Sequence, residues 1–98
     1  MGNSSKSAQF LLESRLADAA RGEVSALYDL GVCYSTGTAG VAIDLIEAHK
    51  WFNLAAVSGS KVAQASRAEI AEDMTAREIA TAQAAARAWL ASTQRRAA

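Results

Sequence analysis

Apolar side chains recur along this chain every three or four residues, the period of an α-helix with one face turned inward. From Ser7 onward the stripe Ala8, Leu12, Leu16 and Ala19 has spacings of four, four and three, and Gly22 closes the segment. The next stripe is Ala26, Leu27, Leu30 and Tyr34; it runs out at Gly37 and Gly40, residues suited to a helix exit and a loop.

Helix starts are marked as clearly as the stripes. Asp44 followed by Glu47 has the layout of a capping box, with Asp in place of Ser or Thr, and predicts a helix from Leu45 whose inner face carries Leu45, Ala48, Phe52, Ala55 and Ala56. Gly59 ends that helix, and Ser60 caps another with Ala63, Ser66, Ile70 and Met74 inward. Thr75 and Glu78 form a second box, with Met74 and Ile79 placed as a hydrophobic staple. The last stripe is Ile79, Ala82, Ala86, Trp89 and Leu90. The pattern therefore predicts one all-α domain over residues 7–91, with a disordered tail at 1–6 and a flexible one at 92–98.

Composition agrees with thin, closely packed helices. Proline is absent, aromatics make up 6% and alanine about a quarter of the 98 residues.

The chain also repeats itself. Gly22 and Ala26 recur 37 residues later as Gly59 and Ala63, and the pair Ala19-Ala20 anticipates Ala55-Ala56. Two helices and two turns fill such a period, the unit of a helical solenoid. From Ala26 to Gly59 the residues resemble a Sel1-like repeat, a branch of the tetratricopeptide-type helical repeats. The matched positions are Ala26, Leu30-Gly31, Tyr34, Gly37, Gly40-Val41, Asp44, Glu47-Ala48, Trp51-Phe52, Ala55-Ala56 and Gly59. The loop Gly37-Thr38-Ala39-Gly40 is one residue longer than the usual Gly-x-Gly, and no second Leu-Gly-x-x-Tyr follows Gly59. The resemblance implies a short right-handed α-α superhelix of about five antiparallel helices, with one full repeat and incomplete or diverged units on either side. Gly31 and Ala48 are small enough for paired helices to approach closely, while Tyr34, Trp51 and Phe52 fill the wedges between pairs.

Charge and cysteine content narrow the function classes. Ten basic and ten acidic side chains cancel, so no global field draws the chain to nucleic acid or an anionic membrane. The one local approximation to a nucleic-acid surface is Arg87, Trp89, Arg95 and Arg96, and the spacing of Trp89 assigns it to the core stripe instead. A single cysteine, Cys33, excludes an internal disulfide and fits a reducing compartment. With no apolar run near the roughly 18 residues of a membrane span and no secretory layout in MGNSSKSAQFLL, the expected location is the cytoplasm. Met1 to Ser7 resembles an N-myristoylation start on Gly2, departing from it at Lys6.

Candidate chemistry is sparse. Cys33 and His49 lie on helices that should pack together, so a cysteine–histidine nucleophile pair is the enzymatic reading; no third orienting group is evident, and both residues suit structural positions. One cysteine and one histidine do not supply a zinc site. Glu13, Asp18, Glu69, Glu72, Asp73 and Glu78 are spaced like solvated helix faces, and Gly37 to Gly40 lacks the Lys and Ser/Thr of a phosphate loop. No cofactor, metal or catalytic site is expected.

What remains is surface. Solenoids hold a peptide or partner helix on the concave side, lined by the first helix of each pair. Ser25, Asp29, Gln64, Arg67 and Arg77 are the candidate contacts for a protein or peptide partner. The alternatives are a structural homodimer that covers an unfinished edge, and an enzyme dependent on Cys33.

Overall fold

The computed structural model describes the chain from Asn3 to Ala97, and its side chains from Lys6 to Arg95. The acylation start at Gly2 and the side chain of Arg96 lie outside the described residues.

Five helices follow one another: α1 (Asn3–Ala20), α2 (Val24–Thr36), α3 (Leu45–Val57), α4 (Lys61–Ala71) and α5 (Ala76–Ala97). Among the described residues there is no strand, so the fold is all-α. The helices form a slab of 40 × 37 × 22 Å, whose short dimension is about two helix diameters. α1 opens four residues before Ser7, and α5 runs past Ser92, so both outer helices are longer than the apolar stripes that announced them.

The internal repeat is visible in the backbone. At Gly22 (φ 85°) the Gly22 and Glu23 amides donate to the carbonyls of Ala19 (2.9 Å) and Asp18 (3.1 Å). At Gly59 (φ 108°) the Gly59 and Ser60 amides donate to Ala56 and Ala55, both at 3.0 Å. These are the same Schellman motif, which requires a left-handed residue that glycine adopts without strain. Each reverses the chain two residues before the next helix, so the sequence period of 37 is a period of structure.

The helix starts differ. Ser60 Oγ accepts from the Ala63 amide at 3.1 Å, capping α4 as expected. At α5 the box is reciprocal: Thr75 Oγ1 accepts from the Glu78 amide at 3.1 Å, and the Thr75 amide donates to Glu78 Oε1 at 2.8 Å. At α3 only half of the box forms. Asp44 Oδ1 accepts from the Glu47 amide at 3.1 Å, but the Asp44 amide donates to the Tyr34 carbonyl at 2.9 Å. Glu47 Oε1 instead accepts from the Trp51 indole at 3.2 Å and from Lys50 at 3.3 Å.

Packing centres on α3, which lies against α2, α4 and α5, while α1 lies against α2. Leu30, Ala48, Ala55 and Ala63 are wholly buried, with Trp51, Phe52 and Leu54 close to it. A side chain such as Leu30 contributes about 1.5–3 kcal/mol by leaving water. Gly31 is the tightest point of the α2–α3 contact: a Cβ there would fall 2.5 Å from Phe52 Cε1 and 2.8 Å from Cγ, so the ring occupies the space glycine leaves. Trp51 meets Trp89 of α5 edge to face, with centroids 4.7 Å apart, a geometry worth about 0.5–1.5 kcal/mol beyond burial. Trp89 thus packs on the core, as its spacing predicted. Consecutive α4 and α5 are not among the closely packed pairs; each rests on α3.

Candidate functional site

The 37-residue offset shows which surface of the slab is left without a neighbour. It maps Leu11, Ser14 and Ala17 of α1 onto Ala48, Trp51 and Leu54 of α3, all of which are buried. On α1 the same three positions face solvent, and Phe10 beside them is 74% exposed and Leu11 44%. Lys6, Ser7, Phe10 and Leu11 line a shallow open groove there. A second cleft, lined by Gln9, Leu12, Ala39 and Gly40, runs where α1 meets the α2–α3 loop. Two further apolar side chains, Val57 and Val62, are exposed on either side of the Gly59 turn.

The five candidate contact residues divide into two groups. Ser25, Gln64 and Arg77 are exposed. Asp29 and Arg67 already have partners within the chain: Asp29 pairs with Arg15 of α1 at 3.3 Å, and Arg67 donates to Asn53 Oδ1 of α3. The five are spread over α2, α4 and α5, and α2 is not closely packed on either of the other two. Phe10 and Leu11 lie outside the apolar stripe Ala8, Leu12, Leu16 and Ala19, so helical periodicity does not single them out. The 37-residue offset, carried back onto α1, sets Leu11 opposite the inner-face residue Ala48, but only the packing shows that Leu11 and Phe10 have no neighbour.

Cys33 is buried on α2, and His49 is 3% exposed on α3. Among the described residues no hydrogen bond joins them, and His49 Nδ1 has no hydrogen-bond partner at all. Burial, and secondarily the cation of Arg67, holds the His49 pKa below its ordinary value. Tyr34 has its pKa raised by burial first and then by the carboxylates of Glu47 and Asp44. Lys50 places its ammonium 4.3 Å from the Trp51 ring centroid and 5.6 Å from that of Trp89, so this cation is held over the aromatic pair. Among the described residues no three of His, Cys, Asp and Glu gather into a metal-binding cluster, and no helix is long and apolar enough to cross a membrane.

Set beside known proteins, the chain matches no family profile, no curated protein and no solved structure.

Proposed function

We propose that the chain is a non-catalytic protein–protein interaction module, an adaptor of Sel1-like repeat type that holds a peptide or partner helix. The observation that supports this most is the bare face of α1. On α3 the positions matching Leu11, Ser14 and Ala17 are buried in the packed centre of the slab, and on α1 Leu11 and the neighbouring Phe10 are left in water. An apolar strip of this kind on a helix surface is what an amphipathic partner helix covers. The proposed architecture is a short right-handed superhelix in which α2–α3 is the full repeat, α1 the end of a preceding one and α4–α5 a diverged one.

The experiment is affinity capture from the native cell on the tagged chain, beside a Phe10→Asp/Leu11→Asp variant whose helicity is checked by circular dichroism. These side chains are exposed, so the fold should survive the change. A protein retained by the native chain and lost by the variant supports the adaptor reading. Retention of a protein equally by both removes the α1 face from it. Recovery of the chain alone, with light scattering showing a dimer that the variant lacks, replaces the adaptor with a structural homodimer.

A further inference from the structure

The same 37-residue offset exposes a substitution where packed helices meet. It maps Leu12 and Leu30, apolar residues of α1 and α2, onto His49 and Arg67 of α3 and α4. Leu30 is wholly buried and Leu12 packs against the core cluster. The α3–α4 contact is thus built on the plan of the α1–α2 contact, with a titratable ring and a fixed cation in place of two leucines.

The environment of His49 disfavours a charged ring. It is 3% exposed, and its Nδ1 meets neither donor nor acceptor. Of the charged groups on α2, α4 and α5, Arg67 is the one that acts on it, and that charge is positive. The nearest polar anchor of Arg67 is Asn53 Oδ1, a neutral acceptor that does not cancel the guanidinium. A proton added to His49 therefore places a buried cation near the half-exposed guanidinium of Arg67, and among the described residues no carboxylate pairs with it. Two routes lower the energy: losing the proton, or letting water reach the ring by separating α4 from α3.

We propose that the α3–α4 contact is an acid-released joint, in which protonation of His49 beside Arg67 frees α4 from α3 while α1 and α2 stay together. The direction follows from linkage. The folded ring binds its proton less readily than the unfolded one, so the joint is fully stable above the ordinary imidazole pKa of about 6.5. Its stability falls as pH drops through that value toward the lower folded pKa. Between the two values the population of the released state rises by up to roughly tenfold per pH unit. α4 is the shortest helix of the five, which suits it to move.

His49 is the one histidine of the chain, so its ring resonances titrate without overlap. Two measurements on the full chain test the joint: the imidazole titration by NMR, and amide hydrogen exchange at pH values from 8 to 5, expressed as protection factors. The expected result is a titration midpoint below 6.5, with protection in α4 falling on acidification by a factor that α1 and α2 do not share. In His49→Leu, which restores the residue type of position 12, α4 protection should become flat across this range. If that variant does not fold, Arg67→Gln serves: removing the cation should raise the imidazole midpoint and shrink the acid response of α4. A midpoint at or above 6.5, equal loss of protection in α1 and α4, or an unchanged acid response in His49→Leu would overturn the proposal. So would an imidazole midpoint that Arg67→Gln leaves where it was.

Discussion

The chain contains two helical hairpins of similar plan, α2–α3 and α4–α5, and they fold to different ends. In α2–α3 the two helices close on each other with Phe52 lying over Gly31. In α4–α5 the helices share a turn and then each lean on α3. The 37-residue offset explains the divergence. α2 offers Leu27 and Leu30, buried to within 4% and 0% exposure, where α4 offers the polar Gln64 and Arg67. Gly31 is answered by Ala68, which remains exposed. A helix without an apolar second face has nothing with which to seat its successor, so α5 returns to α3, where Trp51 meets Trp89. The difference teaches that a turn fixes where a chain reverses, while the side chains beyond the turn decide what the reversed helix touches.

Several substitutions would break or sharpen this contrast. The largest effect is expected at the matched pair Gly31 and Ala68. Gly31→Leu drives a side chain into the Phe52 ring and should destabilise the chain by about 1–3 kcal/mol or more in urea unfolding. Ala68→Leu, at the same place in the looser hairpin, should stay within about 0.5 kcal/mol. Equal losses would mean that the hairpins are packed alike.

Next come the two glutamates that follow the cap residues. Glu47→Ala should lower stability by about 1–3 kcal/mol, because it leaves the buried Trp51 indole N–H without its acceptor. Glu78→Ala removes only the return bond to the exposed Thr75 amide and should lie near 0.5–1 kcal/mol, a difference that paired thermal melts would resolve.

The cap oxygens themselves should be alike. Asp44→Ala and Thr75→Ala each delete one acceptor for a helix N-terminal amide, and each is expected to cost about 1 kcal/mol. A clear gap between them would show that the Asp44–Tyr34 backbone bond also depends on the carboxylate. Smallest is Asp29→Ala, which removes a half-exposed ion pair with Arg15 and should change stability by no more than about 0.2–1 kcal/mol, less in high salt.

Much of this fold is legible in the sequence. All four predicted helix breaks fall where Gly22, the Gly37–Gly40 loop, Gly59 and the Thr75 cap put them. These signals are local: a glycine with positive φ or a hydroxyl three residues before an amide acts within one turn of the chain. The candidate contacts were less legible. Asp29 and Arg67 read as free polar residues because their partners, Arg15 and Asn53, lie 14 positions away on other helices. The α3 box read like the α5 box because nothing within three residues of Asp44 reveals that Tyr34 would take its amide.

The sequence by itself determined the helices, their ends, the repeated turns and the apolar stripes, since each rests on contacts between residues a few positions apart. Only the tertiary structure decided that Phe52 covers Gly31, that α5 packs on α3 rather than α4, that Phe10 and Leu11 stay bare, and that His49 lies buried with its Nδ1 unpartnered. These depend on how rigid helices divide a limited apolar surface among themselves. That division is settled by shape and by which side chains are left over, and neither is written in a periodic pattern.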